Sequence, residues 1–262
     1  MLTRTKVSVA TLGAAFICLG TVGAAKAVTL VAPSSQASQE GNSSSVQPLN
    51  VASRLQQVYG ASEFSSISGP LTISGLSWRL DGANTNPLNF TPTNLQISFS
   101  TTSKAVDGLS QAFSNNIGSN NTVVYNGLFT PTISNSPAVG VKPFDINIAF
   151  TTPFVYNPAA GNLLVDVKNF SPGQFLTLDA QRTLGDSVSS VVGFGTTSPL
   201  GIRDTKGLVT QFTINAGTPT AVPFEFSPTL GIVLAGVLGG ITQLKSKLQK
   251  SKIAGSSFSN NQ

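Results

Sequence analysis

The sequence predicts an all-β body, an antiparallel β-sandwich of jelly-roll-like kind, flanked by an N-terminal signal helix and a C-terminal transmembrane helix. Three observations predict the body. Short apolar runs at period-two spacing recur along the middle of the chain. Clusters of Gly, Asn, Asp and Pro, which are turn chemistry, separate those runs. No segment of the body carries a sustained apolar stripe at the 3.6-residue spacing of a helix.

The elements follow in chain order. Residues 1–27 read as a signal peptide: Arg4 and Lys6 form a positive start, residues 7–23 are apolar or small, and Ala25 and Ala27 flank Lys26 with the small side chains that signal peptidase reads. The expected mature chain begins at Val28. Residues 28–50 are rich in Ser, Gln and Asn and read as a flexible leader. The β-sandwich domain is expected over 51–218. Leu71 and Ile73, then Leu76, Trp78 and Leu80, alternate on either side of Gly75, which marks a bulge or bend. Leu95, Ile97 and Phe99 repeat the spacing. Phe144, Ile146, Ile148 and Phe150 do the same, with Asp145, Asn147 and Ala149 on the opposite face. Residues 122–129, 164–167, 188–194 and 208–214 supply further strands, and one short helix is expected near 109–113. Residues 81–84, 118–121 and 157–162 are the turns between them. Eight or so strands at this spacing make an antiparallel sandwich.

The chain has 262 residues, enough for one good-sized domain. Only 10% are charged, against about 25% in ordinary soluble domains, so the surface must be polar but largely uncharged. The formal charge of +5 is concentrated at the ends, in Arg4, Lys6 and Lys26 and in Lys245, Lys247, Lys250 and Lys252. Between residues 28 and 222, basic and acidic residues nearly balance, so no nucleic-acid partner is expected. The one cysteine, Cys18, lies in the apolar N-terminal run, so the body has no disulfide. The chain has no histidine, which removes Ser-His-Asp and Cys-His chemistry and most zinc, copper and iron sites. No enzymatic activity and no cofactor are expected.

The segment 219–252 repeats the targeting theme in reverse. Pro223-Phe224-Glu225-Phe226-Ser227-Pro228 leads into an apolar run at 229–244, followed by the four lysines. At about 1.5 Å per residue that run covers roughly 24 Å, short of a bilayer core of about 30 Å. The lysine cluster predicts a cytoplasmic C-terminus and therefore a body outside. This order of motif, apolar helix and basic cluster resembles the PEP-CTERM sorting tails of cyanobacteria, in the variant where Pro-Phe-Glu replaces Pro-Glu-Pro. The resemblance implies recognition by an exosortase-type membrane protease, cleavage near Pro223, Phe224 and Glu225, and a basic stop at Lys245, Lys247, Lys250 and Lys252. It implies passage by way of the outer face of the inner membrane to the cell surface or the medium, with signal peptidase, the protease and the membrane as partners. Residues 253–262 form a polar extension past the usual basic ending.

Three constellations are candidates for chemistry in the body. Asp81, Asn84 and Asn86 offer oxygen ligands in one loop, as calcium sites do, but they lack the spacing and final Glu of an EF-hand, and a plain Asx-rich turn, which needs no metal, is the favoured reading. Among the aromatics, Trp78 is in phase with Leu76 and Leu80 and reads as core, whereas Tyr125 and Tyr156 lie near turns and are the candidates for glycan contact. Asp166, Asp179 and Asp186 are the carboxylates that a glycan hydrolase would need to pair. The expected function is that of an exported cell-surface or extracellular-matrix protein associating with exopolysaccharide or neighbouring surface components. A carbohydrate-binding module with a defined site and a carboxylate-dependent glycan hydrolase are the alternatives.

Overall fold

The computed structural model describes residues 27–84, 91–130, 132–133, 140–171, 173 and 176–216. The expected signal peptide up to Lys26, Asn86, and the whole tail from residue 217 lie outside them. The chain divides into two compact units, Met1–Thr218 and Pro219–Gln262, and the described residues all belong to the first.

Among the described residues, thirteen strands follow one another: β1 (Ala27–Ala32), β2 (Ser43–Ser45), β3 (Ser53–Tyr59), β4 (Leu71–Trp78), β5 (Thr93–Thr102), β6 (Thr122–Phe129), β7 (Ile146–Tyr156), β8 (Asn162–Asn169), β9 (Leu178–Arg182), β10 (Val188–Phe194), β11 (Ile202–Asp204), β12 (Lys206–Leu208) and β13 (Thr210–Ala216). The helical turns among the described residues are short 3-10 turns, such as Ala61–Phe64 and Phe113–Asn116. The described body is therefore all-β, as its alternation predicts. None of the described helices is long and apolar enough to cross a membrane.

The strands form a four-stranded sheet ordered β1-β13-β4-β7, a six-stranded sheet ordered β11-β10-β3-β8-β5-β6 and a three-stranded sheet ordered β12-β9-β2. All their pairings are antiparallel. Alternation explains which side chains go inward. On β7, Ile146 and Ile148 are buried while Asn147 and Ala149 are exposed, as a half-buried strand requires. On β4 the register slips between Ile73 and Gly75. That bulge lets Leu71 and Ile73 share the core with Leu76 and Trp78, although the spacing between the two pairs is odd.

One hydrophobic core joins the four-stranded and six-stranded sheets in a sandwich-like arrangement. Phe212 of β13 lies 5.1 Å from Tyr59 of β3 and 6.2 Å from Phe99 of β5, and Phe99 meets Phe154 of β7 at 5.7 Å. These edge-on contacts suit the charge distribution of aromatic rings. A second, smaller cluster lies on the other face of the six-stranded sheet, where Leu109 and Phe113 cover Val58, Leu164 and Val191. Polar groups pin that covering segment. Asn116 donates to Gln56 Oε1 at 2.9 Å, Gln56 donates to the Phe113 carbonyl and to Asp166, and Arg54 makes two bonds to Asp166 at 3.0 and 2.6 Å beneath the Phe113 ring.

The segment 28–50, expected to be a flexible leader, is instead ordered and built into two sheets. β1 pairs with β13 over its full length and β2 pairs with β9, while Leu49 is wholly buried. Its polar composition is compatible with strand structure because partners elsewhere in the chain satisfy its backbone groups. The segment needs few apolar side chains of its own.

Candidate functional site

Asp81 follows directly on the bridge that Leu80 makes with Leu178, next to β9. Its Oδ1 accepts the Ala83 N–H at 3.0 Å and its carbonyl accepts the Asn84 N–H at 2.9 Å. This is an Asx turn of the kind the sequence suggests. The fold brings two further carboxylates to it. Glu40 comes from the N-terminal segment and Asp179 from β9, and one oxygen of each lies within 4.8 Å of the others. Glu40 and Asp81 line an open groove of about 450 Å³ together with Gly140.

Glycine at position 82 is required by this close approach. A Cβ there would fall 2.9 Å from Glu40 Oε2 and 2.9 Å from the Gly140 carbonyl oxygen. With no side chain in the way, the Gly82 N–H donates to Glu40 Oε1 at 2.6 Å.

Arg79 determines the electrostatics of the cluster. It is 1% exposed and Asp179 is 0% exposed. The Arg79 Nε donates to Asp179 Oδ2 at 2.7 Å, and its terminal nitrogen donates to the carbonyls of Gln36 and Gln39 at 2.9 and 2.6 Å. Its guanidinium also stacks 4.7 Å from the Phe144 ring centre. The Gly41 N–H donates to Asp179 Oδ1 at 3.0 Å. Burial pushes the Asp179 carboxyl up to about 6; the Arg79 charge and hydrogen bond pull against that, and Glu40 adds to it.

These three carboxylates are the set best placed among the described residues to hold a hard cation. Such an ion wants six to eight oxygens at about 2.3–2.6 Å. Both oxygens of Asp179 are already taken by Arg79 and Gly41, while Glu40 Oε2 is buried with no hydrogen-bond partner. The geometry therefore works first as a clamp: one buried cation and two carboxylates tie residues 36–41 to β9 and to the turn at Asp81.

The other expected site residues are dispersed. Asn84 does not face the cluster with its amide oxygen, which accepts from Thr177 Oγ1 at 3.1 Å. Tyr156 is wholly buried, its hydroxyl donating to the Gly161 carbonyl at 2.8 Å and its ring meeting Phe64 at 5.0 Å. Its expected place in a glycan-contacting surface is thereby corrected: the next turn closes over it and β7 points it into the core. Tyr125 is half-buried, and its hydroxyl donates to the Leu128 carbonyl at 2.8 Å. Trp78 is core, as its phase predicts, with its indole N–H on Thr210 Oγ1 at 3.1 Å. Asp166 is held by Arg54 on the outer face of β8, and Asp179 by Arg79, so these two carboxylates are bound in separate ion pairs. Asp186 accepts the Val188 N–H at 2.9 Å; burial raises its carboxyl above the ordinary value, with Asp107 and Glu63 adding to the rise.

Ala27 opens β1, opposite Asn215 of β13. Ala25, the sorting motif Pro223, Phe224 and Glu225, and the basic cluster Lys245, Lys247, Lys250 and Lys252 lie outside the described residues. Sequence reasoning missed Glu40 because it stands in a polar stretch, 41 residues before Asp81, with no local pattern to join them. Comparison with protein-family models gives no match, and searches of curated proteins and of solved structures give no significant one.

Proposed function

We propose that this chain is an exported, non-catalytic cell-surface or matrix protein, delivered by a signal peptide and sorted through its PEP-CTERM-like tail. Its β body would associate with extracellular polysaccharide or with neighbouring surface components. The observation that carries the reading is the register Ala27↔Asn215. The start of the expected mature chain and the residues leading into the expected tail lie on neighbouring strands, at the same end of the pair β1 and β13. Removal of the signal peptide or of the tail would leave every described strand from Val28 onward in place. A jelly-roll-like topology is part of the same proposal: the four-stranded sheet holds the first and last described strands side by side, as the returning strand of a Greek key does.

Intact-mass analysis of the protein from cells and from medium tests this. The expected species begins at Val28 and ends near Pro223. Full-length chain confined to the cytoplasm would overturn the reading.

A further inference from the structure

We infer that the body closes on β13, the last of its described strands, and that the chain stays unfolded until residues 210–216 are available to it. The link from this closure to export rests on the function proposed above; the closure itself does not.

β13 is an interior strand of the four-stranded sheet, hydrogen-bonded to β1 on one side and to β4 on the other. Among the described strands β1 has β13 as its sole neighbour, so without β13 the first strand has no sheet to join and β4 keeps only β7. The strand also supplies the centre of the core. Phe212 stands against Tyr59, Phe64 and Phe99, residues of β3, of the 3-10 turn at Ala61–Phe64 and of β5. Thr210 Oγ1 accepts the indole N–H of Trp78 and is hydrogen-bonded to the Tyr59 hydroxyl. Absence of β13 would leave the Trp78 indole N–H without Thr210, leave the Tyr59 hydroxyl only the Leu208 carbonyl, and open the aromatic cluster, and these changes oppose folding.

The strand's partners are remote, with 132 residues separating Trp78 from Thr210. No local contact can substitute for them, and their pairing waits for the end of the body to be made. A chain threaded outward N-terminus first would therefore stay extended and translocation-competent until its last strand had passed.

Trp78 is the only tryptophan, so its fluorescence reports the docking of β13 directly. The test uses the full-length chain diluted from urea, with Trp78 fluorescence followed beside pulse-labelled amide exchange. The expected result is one phase in which Trp78 becomes buried as the amides of β3, β5 and β8 gain protection. In the full-length Phe212→Asp variant, protection is expected to be lost from both large sheets together. The inference is overturned if the six-stranded sheet, none of whose pairings involves β13, is protected before Trp78 is buried, or stays protected in the variant. A failure of export would instead appear as cytoplasmic full-length protein and would leave the refolding result unchanged.

Discussion

At the scale of single residues, the pair Arg79–Asp179 is the most consequential interaction in the clamp. Removing one member of a buried ion pair leaves the other charge uncompensated, at a cost of about 3–5 kcal/mol. Here Asp179→Ala would also deprive the Gly41 N–H of its acceptor. The variant is expected to lose that much in a urea denaturation measured at neutral pH. Arg182–Asp204 provides the control. With Arg182 59% exposed, its pairing is screened by water, and Arg182→Ala should change stability by less than about 1 kcal/mol. Equal losses for the two variants would contradict the clamp. Tyr156 and Trp78 show how far residue identity carries. Trp78 lies in an apolar alternation that indicates its facing, whereas Tyr156 lies next to a turn, where sequence gives no facing.

At the scale of elements, the N-terminal segment is the part whose role composition disguises. Residues 27–45 contribute an edge strand to one sheet and another to a second, and the clamp holds the connection between them. A dispensable leader could be removed without effect. Here the six-residue pairing of β1 with β13 and the bonds from Arg79 to the Gln36 and Gln39 carbonyls would be lost. At about 1 kcal/mol net per hydrogen bond, a chain lacking residues 28–42 should be less stable by about 3 kcal/mol or more. Thermal unfolding measured against the chain starting at Val28 checks this, and an unchanged Tm would mean that the segment is not part of the cooperative unit. Strand β3 makes a related point. Its Gln56 and Gln57 are buried, and their amides are satisfied by the Phe113 and Leu208 carbonyls from distant parts of the chain. A strand whose buried positions include glutamine shows no apolar alternation, and none is legible over 53–59 in the sequence.

At the scale of the whole molecule, charge couples folding to pH. Burial raises the carboxyl of Asp186, as it does that of Asp179, so the native state holds protons that the unfolded chain releases from about pH 4 upward. The contribution of these two groups is complete below about pH 4 and declines as the pH rises, for Asp179 up to about 6. Asp186→Asn isolates the effect, since the amide cannot ionise. Its stability relative to the unsubstituted protein should increase as the pH is raised above about 4 and then level off. A relative stability independent of pH in urea titrations would refute the assignment.

The alternation of β4, β5 and β7, the bulge beside Gly75 and the absence of helical periodicity were determined by the sequence alone, because a two-residue repeat is a local property of an extended backbone. The targeting role proposed for both ends is likewise a reading of local composition. Nothing local could join Glu40 to Asp81 and Asp179, order the polar segment before residue 50, or set Ala27 opposite Asn215. Those contacts link residues 41 to 188 positions apart and depend on which buried donors and acceptors the finished sheets leave to be satisfied. That is settled only when the strands pack together.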